Sequence, residues 1–266
     1  MINESIAVIQ ARMSSTRLPG KVMMRLKDKP IIWHIVERLK LSKKLSKIIV
    51  ATSKEKSDDF LHDFCDKNNI NIYRGNLENV LSRFINLIDI YNPKYIVRIT
   101  GDCPLIFPEY IDEQINALKK YNADLTWLTQ KVQVFDGQGA FSADFLKKIS
   151  KLTSDPEDLE HVCSPFIAKN PSLAKIVGIN PPPKYTNLKF RLAVDEISDF
   201  KLMEKIYNEL YDDKPIDFYK VIDLLMNNVT LSQVNNLVKD SKINLQVSQD
   251  LNNWKKNVNI FYDLNL

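Results

Sequence analysis

Apolar and polar positions along the 266-residue chain follow two different periods. Short runs of small or β-branched apolar residues at 6–9 (IAVI), 47–52 (KIIVAT), 70–73 (INIY) and 95–100 (YIVRIT) read as buried strands. Between them the apolar residues recur at helical spacing. Residues 30–40 carry Ile31, Ile32, Ile35, Val36 and Leu39, with Pro30 suited to a first turn; 58–68 is a second helix. In 77–91 the buried face is Val80, Leu81, Phe84, Leu87 and Ile88. This alternation predicts βαβ crossovers and an α/β fold with a mostly parallel sheet. Further on, the pattern predicts a helix over 107–121, a strand over 123–129 and a loop or hairpin over 130–139, where Gly137 and Gly139 mark a sharp bend. Helices follow over 142–151 and 155–169, then a stiff extended connector at Pro181, Pro182 and Pro183. A strand over 188–194, helices over 197–211 and 218–226 and a helical piece near Leu231 complete the pattern. Residues 1–230 are expected to form one domain, and 231–266, Asn-rich toward Leu266, an extension without visible chemistry.

Composition narrows the class. The 44% hydrophobic and 26% charged fractions are those of an ordinary globular protein. No apolar run is long enough to span a membrane, and the polar start is not a secretion signal, so a cytoplasmic protein is expected. Cys65, Cys103 and Cys163 are far apart and odd in number, which reads as reduced thiols. His34, His62 and His161 are too scattered for a metal cluster. Charge is distributed unevenly. Residues 1–50 hold 11 Lys/Arg against three Asp/Glu, a surplus of eight, so the rest of this +4 chain carries −4. Cations gathered at one end suit a small polyanion. A nucleic-acid partner is not expected, because no basic stripe interleaves with aromatics.

The chemistry is densest directly after the first strand. Arg12, Arg17 and Lys21 and the hydroxyls of Ser14, Ser15 and Thr16 fall within ten residues, closed by Pro19 and Gly20. A loop of amides, hydroxyls and cations after a buried strand suits a polyphosphate. It is not a P-loop: Ser15 stands where the first glycine belongs, and Val22 where a magnesium-binding Ser or Thr belongs. A second signal follows the 95–100 strand, in Gly101-Asp102-Cys103-Pro104. A carboxylate after a buried strand, beside a glycine, suits magnesium, which takes one or two protein carboxylates plus substrate phosphates. Arg98, inside an apolar strand, is costly to bury without a carboxylate or a ligand, and is assigned to the nucleotide. Cys103 reads as a small buried residue rather than a nucleophile.

The segment ARMSSTRLPGKVM at 11–23 resembles the opening signature of the cytidylyltransferases that activate sugar acids. These are the 3-deoxy-manno-octulosonate and CMP-acylneuraminate synthetases, and the likeness is greatest to their spore coat polysaccharide relatives of the SpsF type. The resemblance covers about residues 5–230. It implies a nucleotide-diphospho-sugar transferase-like, Rossmann-like three-layer sandwich that binds CTP with Mg2+ and transfers CMP to a sugar acid, releasing pyrophosphate. By it, Ala11, Arg12, Ser15, Arg17 and Lys21 wrap the triphosphate, and Ala51 and Thr52 line the cytosine and ribose pocket. Arg83 either reaches toward the nucleotide or makes a surface salt bridge. Asp102 and, from LAVDEISDF, Asp195 hold the metal, and Arg12, Lys21 and Asp102 carry catalysis. Glu160-His161-Val162 resembles the family's E-H-V, and His161 is either a proton carrier, an acceptor contact or a capped structural histidine. Gln138 is placed with His161 on the acceptor side, in GQGAFS, where the family's Glu is missing; Asn79 likewise replaces a carboxylate. The departure in GQGAFS bears on the acceptor and leaves the nucleotide site untouched. A homodimer is expected from the resemblance alone. Two other readings stay open: a sugar-phosphate nucleotidyltransferase using another NTP, and a protein that binds nucleotide without turnover.

Overall fold

The structure is a computed structural model and describes residues 4–239, 258–264 and 266. Its centre is strand β1, Ser5–Gln10, whose alternate side chains enter two separate cores. Ala7 and Ile9 face one, Ile6 and Val8 the other, and all four are fully buried. Such burial stabilises by about 1.5–3 kcal/mol for each of the larger side chains. Ladders run parallel from β1 to β4 (Lys47–Ser53) on one side and β6 (Tyr95–Thr100) on the other. β2 (Arg25–Leu26) and β3 (Lys29–Pro30) form a separate small antiparallel ribbon. Beyond β4 lies β5 (Ile72–Gly75), also parallel. β7 (Leu125–Leu128), β8 (Gln138–Ser142), β9 (Ile176–Asn180) and β10 (Phe261–Asp263) continue from β6. Among the described residues, these form one eight-stranded sheet in the order β10-β9-β7-β8-β6-β1-β4-β5. Only the β6–β8 and β7–β8 pairings are antiparallel, so the sheet is mostly parallel, with helices on both faces.

The early elements stand close to where periodicity predicts them. Helices occupy Ile31–Leu39, Asp59–Lys67, Val80–Tyr91 and Pro108–Tyr121, the third begun by Asn79, whose side chain accepts from the Ser82 amide. His34 is buried packing, its Nε2 on the Leu26 carbonyl.

After residue 129 the structure departs from the expectation in three places. The segment expected as a loop or hairpin contributes β8, wedged antiparallel between β6 and β7. The helix expected over 155–169 is two pieces, Pro156–Glu160 and Ser164–Lys169. Pro165 has no amide to continue the first piece, and it sits in the first turn of the second, where none is needed. Val162 and Cys163 turn the corner with φ of 54° and 60°. Among the described residues, the expected strand over 188–194 joins no ladder. Its backbone bonds go elsewhere: Val194 N donates to the Asp102 carbonyl at 2.8 Å, and the Arg191 carbonyl accepts from Asn235 Nδ2 at 3.0 Å. β9 is the strand actually present in that part of the chain. From the 231–266 extension, Asn235 is buried and β10 pairs with β9; the Asn-rich residues 240–257 lie outside the described residues.

Two local devices hold the segments that matter next. Asp58, fully buried at the start of the Asp59–Lys67 helix, accepts from the Met13 amide at 2.7 Å, from Thr52 Oγ1 at 2.9 Å and from the Ser53 amide and hydroxyl. It ties the loop after β1 to the end of β4. Burial disfavours its charge, but these hydrogen bonds outweigh that and hold its carboxyl below the ordinary value of 3.8. Gly137, with φ of 84°, lies against the turn after β6, and its carbonyl accepts from the Thr100 amide at 2.9 Å. A Cβ there would press into Cys103 Sγ and stand 2.7 Å from Thr100 Oγ1.

Asp58→Ala orphans several buried donors and is expected to cost about 3 kcal/mol in denaturant unfolding at pH 7. Because the native pKa is depressed, this contribution is complete above 3.8 and fades as pH falls through the native value. A difference between wild type and variant that grows on acidification would contradict the assignment. Gly137→Ala is expected to destabilise by about 2–4 kcal/mol through backbone strain and overpacking. Gly139→Ala, whose added Cβ meets nothing nearer than 3.7 Å, should change stability by less than about 1 kcal/mol. Equal melting shifts for the two glycine variants would rule this out.

Candidate active site

β1 and β6 lie side by side, yet the chain leaves their carboxyl ends in opposite directions, toward β4 after β1 and toward β7 and β8 after β6. A crevice opens where such connections part. The register sets Gln10 opposite Thr100, so the loop 11–21 and the turn at Asp102 start level at one sheet edge. Gly20, with φ of 72°, closes that loop by donating its amide to the Met13 carbonyl at 2.8 Å. The resulting cleft, about 870 Å³, lies within the roughly 300–1,000 Å³ of small-molecule sites.

Three distant segments meet at one wall. Lys21 Nζ donates to Asp102 Oδ2 at 2.6 Å and to Asp195 Oδ1 at 2.8 Å. Arg17 pairs with Asp195 Oδ1 at 2.7 Å, and Arg191 pairs with Asp195 Oδ2. Behind them Asp199, fully buried, lies 3.3 Å from Arg191 Nε and accepts from the amides of Asp195 and Glu196, both at 2.9 Å. Burial pulls the Lys21 ammonium toward deprotonation, but the two carboxylates outweigh it and raise its pKa above the ordinary value. Asp102 is the mirror case. Burial opposes its charge, and Lys21 overrides this and holds the carboxyl below the usual range. Beside it, burial and then the Asp102 charge push the Cys103 thiol well up, which leaves it no nucleophile.

The opposite wall is built differently. Arg12 pairs with Glu160 at 2.7 Å. Arg98 Nε donates to Gln10 Oε1 at 2.7 Å. His161 stands near both arginines; burial first, then the Arg98 charge, lowers its pKa, so the imidazole is neutral at pH 7. Gln138 also lines the cleft, its Nε2 on the Phe135 carbonyl at 3.3 Å.

The tertiary structure thus brings Ala11, Arg12, Ser15, Arg17, Lys21, Arg98, Asp102, Gln138, His161 and Asp195 to one cleft. Ala51 and Thr52 do not line it. Both are fully buried, with the Thr52 hydroxyl spent on Asp58, so the expected base-pocket contact has no surface to act through. Arg83 borders the cleft but makes no surface salt bridge. It is buried, and donates to the carbonyls of Asn76, Leu77 and Ala51. Its role is to tie the start of the Val80–Tyr91 helix to β4. Sequence reasoning passed over Arg191, Glu160 and Asp58. Glu160 adjoins His161 in a motif already in view, and Arg191 stands four residues before Asp195, but neither spacing names a partner.

The comparisons with known proteins fit this geometry. A family model described as cytidylyltransferase matches residues 6–243. An uncharacterized protein of Methanocaldococcus jannaschii is 38% identical over 234 residues, covering 88% of this chain and 95% of that protein. The spore coat polysaccharide biosynthesis protein SpsF of Bacillus subtilis is 29% identical over 231 residues, covering 85% of this chain and 96% of that protein. Among solved structures, a cytidylyltransferase from Leptospira borgpetersenii superposes with a TM-score of 0.79 at 27% identity, covering 90% of this chain and 99% of that one. With a matching family model over nearly its whole described length, a parallel sheet of the same architecture and a cleft at the strand ends, the chain belongs to the cytidylyltransferase family.

Proposed function

We propose that the protein transfers CMP from CTP to a sugar acid or a related acceptor, with release of pyrophosphate, for surface polysaccharide or glycan biosynthesis. The observation that carries the reading is the meeting of Asp102 and Asp195 on a single ammonium, Lys21, at the switch point of the sheet. Two carboxylate oxygens within reach of one cation fit a hard ion such as Mg2+, which needs few protein ligands when substrate phosphates supply the rest. When bound there, Mg2+ supplies Lewis-acid stabilisation of phosphate oxygens and eases deprotonation of the acceptor hydroxyl.

The chain's own residues do the rest. An acceptor oxygen forms a bond to the α-phosphorus, the bond from that phosphorus to the pyrophosphate oxygen breaks, and the acceptor proton leaves. Negative charge builds on the departing oxygen. Arg12, Arg17 and Lys21, with Ala11 and Ser15 beside them, border the path that pyrophosphate takes, and preorganised cations there act mainly on the transition state. Positioning is the other contribution: the loop is held by Asp58 and Gly20 before substrate arrives. His161, neutral, serves as a hydrogen-bonding group toward the acceptor, alongside Gln138. The substrates are small molecules, with neither nucleic acid nor membrane as partner, and the setting proposed is a cytoplasmic homodimer. No described helix is long and apolar enough to cross a membrane.

Lys21→Ala and Asp102→Asn are each expected to lower turnover by about 10²- to 10³-fold while the protein remains folded, by analogy with the loss of one oxyanion donor. Near-normal pyrophosphate release by either folded variant would refute the site. A thermal-shift screen with magnesium and CTP, UTP, GTP, ATP or dTTP is expected to show the largest stabilisation with CTP. A larger shift with another nucleotide would reassign the donor.

A further inference from the structure

Arg98 is bound differently from the cations of the loop after β1 and from Arg191. Arg12, Arg17, Lys21 and Arg191 each contact a carboxylate. Among the described residues, Arg98 has one polar partner, the neutral Gln10 Oε1 on its Nε, and no ion pair. Its two Nη nitrogens are left without one. The residue stands in the interior of β6, between Val8 of β1 and Gly139 of β8, half-buried, and lines the cleft. Burial lowers its pKa to about 10, so it is still a cation at neutral pH. Its desolvation is offset only in part, because Asp102 and Glu160 favour the charge from a distance and neither pairs with it. An anionic ligand on the Nη pair adds the missing direct contact.

The sheet order says which half of the cleft Arg98 occupies. β4 and β5 lie on one side of β1, β6 and β8 on the other, and the loop that carries Arg12, Arg17 and Lys21 springs from β1 itself. Arg98 is therefore in the half of the cleft away from β4 and β5, with Gln138, Gln114 and His161. That half is polar, and among the described residues none of the carboxylates lining the cleft pairs with Arg98. Glu160 is occupied by Arg12, and two buried atoms, Gln114 Nε2 and Gln138 Oε1, have no hydrogen-bond partner. With Nε fixed by Gln10, the Nη pair presents the planar fork that suits a carboxylate held by two parallel hydrogen bonds.

We propose that Arg98, oriented by Gln10, anchors the acid group of the acceptor rather than a phosphate of the nucleotide, and so makes the enzyme selective for carboxylate-bearing sugars. The assignment rests on the cytidylyl-transfer reading above. The test uses the full chain with CTP and magnesium chloride. Pyrophosphate release is followed with 3-deoxy-manno-octulosonate and N-acetylneuraminate, with their methyl esters, and with neutral polyols. Wild type should favour an acid over its ester by about 10²-fold in kcat/KM or more, the worth of two lost charge-assisted hydrogen bonds. Arg98→Ala should raise the acid's KM by about the same factor, and Arg98→Lys, which keeps the charge without the fork, by less. The Kd for CTP, measured calorimetrically, should stay within about threefold in both variants, well under 1 kcal/mol, which also shows that they fold.

The proposal is overturned if CTP affinity falls in step with acceptor affinity, because Arg98 then belongs to the nucleotide. It is also overturned if esters or polyols react as well as acids, if no acid reacts while CTP binds, or if Arg98→Ala leaves the acid's KM unchanged. Wild type that fails to bind CTP brings down the transfer reading itself, a separate result from any of these.

Discussion

The site depends on the tie between Lys21 and the two carboxylates Asp102 and Asp195. These residues belong to segments separated by 81 and 174 positions, so no local preference brings them together. Charges this well enclosed are tolerated only when each is paired and hydrogen-bonded. The structure meets that condition in layers. Arg17 and Arg191 share Asp195, and Asp199 backs Arg191 while accepting from the backbone that carries Asp195. Removing one member therefore leaves another buried and uncompensated. In the proposed reading, the same convergence gathers the carboxylates that would hold a divalent ion and the lysine that would meet a phosphate.

Around that tie, the segments that bear the chemistry are irregular and are held by side chains. The loop after β1 is closed by a left-handed glycine and pinned by Asp58. The segment before Asp195 gives its amide at Val194 to the backbone of Asp102, which locks the two carboxylates to each other through a single hydrogen bond as well as through Lys21. Ladder pairing cannot set such geometry, because both segments must leave the sheet to face a ligand. Rigid strands supply the platform, and the loops carry the function. On the other wall, the Arg12–Glu160 pair joins the loop to the Pro156–Glu160 helix.

Much of this was legible in the amino-acid order. β1, β4, β5 and β6, with the helices between them, follow from apolar periodicity because each buries on a regular face. The cations of the loop and the aspartate after β6 announce themselves by chemistry alone, and the likeness of 11–23 to a known signature implies CTP and metal as their company. Periodicity failed where partners in space, rather than neighbours in sequence, decide the conformation. β8 reads as a glycine-rich bend, yet it is a strand because β6 and β7 flank it. Residues 188–194 read as a strand, yet no strand edge pairs with them, so Asp102 and Asn235 take their backbone bonds.

The sequence by itself therefore determined the class of fold, the buried strands of its first half and the residue types from which the site is made. It could not determine that Ala51 and Thr52 are sealed from the cleft, that Arg83 is spent on carbonyls, or that Arg98 keeps a neutral partner. Those outcomes depend on which atoms lie within hydrogen-bonding reach after the chain has closed on itself. Electrostatic pairing acts over a few ångströms and is indifferent to separation along the chain. Periodicity is a property of neighbours, whereas a site is a property of distances, and only the tertiary structure supplies those.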